Sequence, residues 1–531
     1  MLVDHLAELL VVATPFLHVL LAPHTKVEES FTLHAVRDLL LNGVSTDAVS
    51  QYDHIEFPGA VPRTFVGPGI LAGVSYPVVR LASEVGWLKS GLDVQIAIRL
   101  VLACVSSLSI IFLSRRVRTA FGAGLARSFL LITATQFHVP FWISRTVPNM
   151  VAFPLVQIAL ALLITPPSNV PIKSTPKLPL AALAIFTFVA VVLRLEITGL
   201  LIPLALEQLA RGTVSFVPLI TCGVVSAAAS LACTVAVDSF FWQRPEGSWL
   251  WPEGSSFFFN VVEGKASEWG TSPFYTYFLL TLPKLLLLAL PFAFFSLFLD
   301  RRARRIGVPA IVFIAILSGL EHKEWRFISY VVPVLNICAA SGLRAIGALF
   351  ASRRLRRLSL VAIVCVNLVF TLLGVVASRA NYAGGSAVEK LGDRLRHGNR
   401  TGEVSVHVSP HAAMNGATNF LLYDSPGSSS SPPAWYLSPS IGSIETFPRI
   451  AYSKFESPEL VTPAAFATSP DSFDYLLVDA TTSEYPSAWV NEGFWKVAEE
   501  VGGFVGFGKF WRAEKIGVKT GKSVGILERV R

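Results

Sequence analysis

Between His24 and Pro68 the chain carries six carboxylates, Glu28, Glu29, Asp38, Asp47, Asp53 and Glu56, in a stretch flanked by apolar sequence. Acidic side chains cost free energy beside hydrocarbon, so this density marks a polar pocket or water-filled cleft and the first candidate for an active site. Two groups stand out. Thr25-Lys26-Val27-Glu28 has capping-box spacing, with Thr25 as the cap of a helix running to about Leu41 and Glu28 reaching back to the cap N–H. Asn42-Gly43 then stops the helix. Glu28 thereby receives a structural task, and Glu29 is left in a first turn where the helix dipole favours negative charge. The second group is Tyr52-Asp53-His54-Ile55-Glu56-Phe57-Pro58, in which a helical turn puts Asp53 and Glu56 on one face. One histidine with two acids and no HExxH-type spacing is a poor ligand set, so no metal is expected. A merely solvated acidic tip would leave the surrounding aromatics and prolines without a role.

Cationic chemistry is concentrated in Glu321-His322-Lys323-Glu324-Trp325-Arg326-Phe327. His322, Lys323 and Arg326 supply donors suited to an anionic head group, and the planar fork of arginine matches phosphate oxygens. Snorkelling at a helix end explains Lys323 and Arg326 but not the whole run. Arg145 in Ser144-Arg145-Thr146-Val147-Pro148-Asn149, and Arg194 with Glu196, lie within or beside apolar segments, where an ionisable residue is a functional candidate. Arg194 and Glu196 are not expected to touch, since i and i+2 do not face each other on a regular helix.

These residues need a membrane body to position them. With 52% hydrophobic and 15% charged residues and a mean hydropathy of +0.56, the chain reads as an all-α polytopic membrane protein. Apolar stretches at 6–22, 94–114, 128–144, 147–165, 178–195, 197–211, 214–237, 276–299, 306–320, 327–350 and 358–378 give about eleven spans. The net charge of +8 does not indicate nucleic acid, because arginines cluster against spans at 115–118, 301–305 and 353–357. Positive loops stay cytoplasmic. All three clusters fall on one side if 65–85 is re-entrant or lies on the surface within one long first loop, 23–93. The N-terminus is then cytoplasmic. The first loop, the loop 238–275, the run 321–327 and the tail from 379 share the opposite, lumenal or extracellular face.

The N-terminal apolar run carries Asp4 and Glu8 instead of a basic start, so it is expected to be a retained span rather than a signal peptide. All five cysteines fall in apolar stretches and read as small hydrophobes. Residues 1–378 form the membrane domain on this reading. Residues 379–531 form a smaller lumenal α/β domain, with strands expected at Val404–Val408 and Tyr475–Val478, a flexible SPGSSSSPP run at 425–433 and a sequon at Asn399. A transporter would need discontinuous helices and repeated halves, neither of which is visible in the sequence. A non-catalytic lumenal scaffold is the other rival.

TKVEESF at 25–31, YDHIEFPGAVPRTF at 52–65, SRTVPNM at 144–150 and HKEWRF at 322–327 together resemble glycosyltransferase family 22, the GT-C mannosyltransferases of the endoplasmic reticulum. The YDHIEFPGAVPRTF string, NYAGG at 381–385 and HVSPHAAMNGATNFL at 407–421 are similar to the members that act in α-1,6 linkage. The resemblance covers nearly the whole chain. It implies an endoplasmic reticulum membrane enzyme of N-glycan precursor assembly. The donor implied is dolichyl-phosphate-mannose, the acceptor a heptamannosyl dolichol-pyrophosphate oligosaccharide, and the surroundings membrane lipids, with no cofactor. It also implies an inverting displacement with a carboxylate base, for which Glu29 or Asp53 is expected, with Glu28 behind them. His322, Lys323, Arg326 and Arg145 are expected to hold the donor phosphate, and Glu56, Arg63 and Lys26 to contact substrate. An α-1,2-mannosyltransferase of the same family, acting on a lipid-linked oligosaccharide or a GPI anchor, is the alternative. Three positions depart from the family pattern: relatives carry Asp-Glu at Glu28-Glu29, an acid is common at Trp325, and proline is usual at Ala383.

Overall fold

The computed structural model describes residues 2–164, 177–397, 403–421, 435, 449–454, 473–481, 495–507 and 518–530. The Asn399 sequon and the 425–433 run lie outside the described residues. Each of the eleven apolar stretches contains helix. Among the described residues, five helices are long and apolar enough to cross a bilayer: Asp4–Leu21, Gly91–Phe121, Phe216–Phe241, Trp325–Leu349 and Arg353–Arg379. The bent pair Tyr277–Leu286 and Ala289–Leu299 makes a sixth if it is one span.

Other apolar stretches hold shorter or broken helices. Ala123–Thr135, Pro148–Leu163 and Lys177–Leu193 are apolar helices of 10–17 residues among the described residues. Arg301–Ser318 places four arginines among its first five residues. Among the described residues, two discontinuous helices stand out that the sequence did not reveal. The bent pair turns through 109° at Leu287, whose φ of +49° is strained for a residue with a side chain. A π-helical turn, Val189–Leu193, ends at extended Arg194 and is followed by a 3₁₀ turn, Leu195–Ile197. The segment expected to be re-entrant or surface-lying is one continuous helix, Val66–Glu84.

The chain divides into two compact units. The first gathers Met1–His18, Ala60–Gly67 and Leu102–Leu372 around a core that includes Phe129, Phe153, Phe186 and Phe313. Its helix Phe216–Phe241 is apolar outside and polar inside: Val217 is 71% exposed, whereas Ser230, Thr234 and Asp238 are buried. That pattern suits hydrocarbon, not water. Arginines from the basic clusters cap helix C-termini. Arg116 donates to the carbonyls of Ala161 and Ile164, and Arg302 to that of Ala120.

The second unit gathers Val19–Gly59, Pro68–Val101 and Leu373–Arg531. Its sheet comprises β1 (Glu403–Val408), β2 (Arg449–Ser453), β3 (Tyr475–Asp479), β4 (Trp495–Phe507) and β5 (Val518–Arg529), in the order β2-β1-β3-β5-β4. The two expected strand runs lie in β1 and β3. β1 pairs in parallel with β2 and β3, and β5 runs antiparallel to β3 and β4. Side chains alternate between faces as a pleat demands. Val404, Val406, Tyr475, Leu477 and Ile526 pack with the helix Ala383–His397, while Leu476, Val478 and Leu527 meet Trp495.

Two glycine segments bring the tail against the start of the helix Val27–Asn42. A Cβ on Gly385 would stand 2.6 Å from His24 Nδ1, and one on Gly384 2.0 Å from the Ala412 carbonyl oxygen. Gly416, at φ +104°, comes so near that a Cβ would meet the Thr25 carbonyl oxygen at 2.8 Å. Only glycine allows such approach and such a dihedral together.

Candidate active site

The acidic helix ends as its sequence indicates, with Gly43 at φ +78° after Asn42, but it begins differently. Lys26, not Thr25, stands at the cap position. Glu29, not Glu28, reaches back, its Oε2 accepting from the Lys26 N–H at 3.0 Å. Both registers satisfy the i, i+3 spacing, and packing selects between them: Thr25 and Glu29 are fully buried, and Glu28 is exposed. Lys26 Nζ donates to Asn415 Oδ1 at 2.7 Å and Asn381 Oδ1 at 3.5 Å and lies 5.3 Å from the Tyr382 ring centroid.

Asp53 opens a one-turn helix, Asp53–Glu56, that gives its two acids opposite surroundings. Glu56 is exposed. Asp53 Oδ1 accepts from Tyr452 OH at 2.8 Å and Lys454 Nζ at 2.7 Å, and Oδ2 accepts from His34 Nδ1 at 3.0 Å. His34 Nε2 accepts from the Asn419 N–H at 3.4 Å, which assigns the ring proton to Nδ1, facing Asp53. Burial alone would raise the Asp53 carboxyl, but His34 and Lys454 outweigh it and hold it well below the usual range. Its neighbour Asp38 accepts the Asp53 N–H at 2.9 Å. Burial and the Asp53 charge push Asp38 up to about 7 against the opposing pull of Arg37.

The cationic residues belong to the first unit. Glu324 Oε1 accepts from His322 Nε2 at 3.0 Å and from Arg326 Nη2, so one carboxylate holds both. Lys323 Nζ donates to the carbonyls of Ser272 and Leu320. Arg194 and Glu196 do touch, contrary to expectation: Arg194 Nε lies 2.8 and 3.1 Å from the two Glu196 oxygens. The π-to-3₁₀ break at Arg194 removes the regular-helix geometry that would separate them. Asn149 Nδ2 joins this pair to the Tyr330 hydroxyl, at 2.7 Å from Glu196 and 3.0 Å from Tyr330.

Glu253 Oε2 accepts from the Leu195 N–H at 2.7 Å. Burial raises Glu253 to about 7, Glu196 adding to the rise while Arg194 and Arg63 oppose it. Arg63 lies within electrostatic reach of Arg194, Glu253, Arg326 and Glu324. Its segment is fixed by Asp238, which accepts from the Phe65 N–H at 2.6 Å, and by stacking of Phe65 on Phe241 at 4.6 Å. Arg145 is fully buried, with its guanidinium 4.4 Å from the Phe141 ring centroid.

In the second unit the candidates Lys26, Glu28, Glu29, Asp53 and Glu56 occur together, and in the first His322, Lys323, Arg326 and Arg63 do. Glu253, Tyr452, Lys454 and Asn415 were not singled out from the sequence. No spacing marks them; Glu253 was signalled only as an acid beside Trp249, Trp251 and Pro252, and Asn415 only as part of HVSPHAAMNGATNFL.

The fold is that of a membrane glycosyltransferase of the GT-C type, similar to the apo form of ArnT from Cupriavidus metallidurans. The likeness covers 98% of this chain and 97% of that one, with a TM-score of 0.59 at 14% identity. The chain belongs to the Alg9-like mannosyltransferase family, whose profile matches residues 8–407. Relatives that bear the name Dol-P-Man:Man(7)GlcNAc(2)-PP-Dol alpha-1,6-mannosyltransferase include proteins of Saccharomyces cerevisiae and Drosophila melanogaster. The Saccharomyces cerevisiae protein is 30% identical over 92% of this chain and 86% of its own. The Drosophila melanogaster protein is 36% identical over 78% of this chain, a match that spans 58% of the Drosophila protein.

Proposed function

We propose that the chain is an inverting mannosyltransferase that moves mannose from dolichyl-phosphate-mannose to a heptamannosyl dolichol-pyrophosphate oligosaccharide in α-1,6 linkage. The observation that carries this reading is likeness along 92% of the chain to a yeast protein of that name. The reading includes the endoplasmic reticulum membrane as location, with a cytoplasmic N-terminus and a lumenal acidic loop. The three arginine clusters beside spans support that orientation.

In the proposed step, a carboxylate takes the proton of the acceptor's 6-hydroxyl as its oxygen attacks the mannose anomeric carbon opposite the phosphate. The bond from that carbon to the phosphate oxygen breaks, and dolichyl phosphate leaves with the electron pair. A β-linked donor thus yields an α-linked product. Cations offset charge gathering on the leaving phosphate. Arg326, His322, Lys323 and Arg63 are the candidates, and Arg145, buried against Phe141, comes after them. A monophosphate can be neutralised by such groups, so no metal is invoked.

Glu28 now leads the base candidates, because it is the exposed carboxylate of the opening turn. Glu29 is occupied in the cap, and Asp53, held by three donors and depressed in pKa, is a weak base. The purified full chain, given labelled dolichyl-phosphate-mannose and the heptamannosyl acceptor, should form an octamannosyl product sensitive to an α-1,6-specific mannosidase. An α-1,2 product would move the chain to the other branch of its family. Absence of transfer would leave a non-catalytic role.

A further inference from the structure

The tail from residue 379 has no task in the proposed chemistry, yet groups in it reach the acidic loop at several points within the second unit, three of them close to its candidate residues. At the first, Tyr452 and Lys454, in and just after β2, grip the Asp53 carboxylate. The same two residues grip Phe57, which stacks on Tyr452 at 6.3 Å and 27° while Lys454 Nζ stands 4.6 Å from the Phe57 ring centroid. Two residues four apart in YDHIEF are thus held by a neighbouring pair, once through charge and once through an aromatic face. At the second point, the Asn419 N–H meets His34, which faces Asp53.

At the third point, Asn415 receives the Lys26 ammonium at the N-terminal end of the helix that carries Glu28 and Glu29. Its amide orientation is fixed from the other side, because Nδ2 donates to the His411 carbonyl at 2.9 Å and approaches His411 Nε2 at 3.3 Å. Oδ1 is therefore the atom presented to Lys26. His411 is itself anchored, with Nε2 3.2 Å from Ser523 Oγ on β5 and Nδ1 3.6 Å from Asp479 Oδ2. The chain of contacts runs from the sheet through His411 and Asn415 to Lys26.

We propose that the C-terminal domain is a positioning template for the acidic loop, with Lys454 and Tyr452 fixing Asp53 and Phe57, and Asn415 fixing Lys26. Asp53 is then a structural anchor, and Lys454 and Asn415 are positioning residues whose loss disorders the turn bearing the candidate base. This proposal rests on the mannosyltransferase reading only for its kinetic arm. A misplacement of about 1 Å at a reacting group costs about a hundredfold in turnover, so Lys454→Met should lower kcat by about that factor with KM for the donor changed less than about twofold. Lys454→Arg, which keeps the charge on Asp53, should recover most of the turnover. Asn415→Asp, which keeps an acceptor for Lys26, should likewise outperform Asn415→Leu.

Hydrogen exchange gives an arm independent of activity. In the full-length protein, Lys454→Met and Asn415→Leu should speed exchange in peptides covering 24–57 at least about tenfold, with Lys454→Arg close to wild type. Unchanged exchange in 24–57 for both variants overturns the template whether or not mannose is transferred. Faster exchange with unchanged kcat in an active enzyme overturns the positioning role. A wild type that transfers no mannose but shows the exchange pattern upholds the template and removes the mannosyltransferase reading instead.

Discussion

Glu28→Gln separates the two acids that open the loop helix. Glu28 is exposed in the first turn, where a carboxylate gains about 0.3–1 kcal/mol from the helix dipole. The neutral isostere should therefore cost less than about 1 kcal/mol of stability. If Glu28 is the base, its loss removes a catalytic factor of about 10²–10⁴, which is about 2.7–5.4 kcal/mol of barrier. Glu29→Gln is the control built into the fold: the amide oxygen of glutamine can still accept from the Lys26 N–H that Glu29 holds at 3.0 Å, and glutamine serves capping boxes as well as glutamate does. Its turnover should stay within about threefold of wild type. The assay is single-turnover mannose transfer at saturating donor and acceptor, with unfolding temperature measured on the same preparations. Turnover within threefold of wild type for Glu28→Gln, alongside a large loss for Glu29→Gln at unchanged stability, would refute the assignment and return Glu29 to the role.

Asp38 should make the second unit's stability fall as pH rises. Its folded carboxyl, lifted to about 7 from an ordinary 3.8, keeps a proton that the unfolded chain releases. Unfolding temperature should decline between about pH 4 and 7, and Asp38→Asn should flatten that slope. Asp53 acts with the opposite sign, its depressed carboxyl contributing in full above about pH 4 and losing that contribution on acidification, so Asp53→Asn should destabilise at neutral pH far more than under strong acid. Arg194→Met strands a largely buried Glu196 and should cost about 3–5 kcal/mol; adding Glu196→Gln should restore part of it, and a double variant no more stable than the single would show that the pair is not coupled. Gly385→Ala drives a methyl to 2.6 Å from His24 Nδ1 and should cost about 1–3 kcal/mol, read as a lower unfolding temperature.

Local signals were legible where neighbours in sequence decide the outcome. Asn42-Gly43 ended the helix, and β1 and β3 follow from alternating apolar runs. The cap register was not legible, because Thr25–Glu28 and Lys26–Glu29 have the same spacing and the choice rests on burial and on Asn415, 389 positions from Lys26. The partners of Asp53 were equally hidden, since Lys454 is 401 residues away and has no periodic relation to it. The Arg194–Glu196 contact failed to appear because a regular helix was assumed where the backbone changes from π to 3₁₀. The break within 276–299 was hidden for a related reason: hydropathy reports composition, and it does not register the bend at Leu287.

The helix Phe216–Phe241, apolar outside and polar within, also reverses the usual map of mutational tolerance. Its outward Val217, Val224 and Val225 can exchange among leucine, isoleucine, phenylalanine and valine at little cost, since acyl chains do not discriminate among hydrocarbon shapes. Thr234 and Asp238 cannot exchange so freely, because their hydroxyl and carboxylate complete a bond network reaching the Phe65 N–H of the VPRTF segment. Along this helix sequence drift should therefore concentrate on the hydrophobic residues and spare the hydrophilic ones, the inverse of what a water-soluble helix permits.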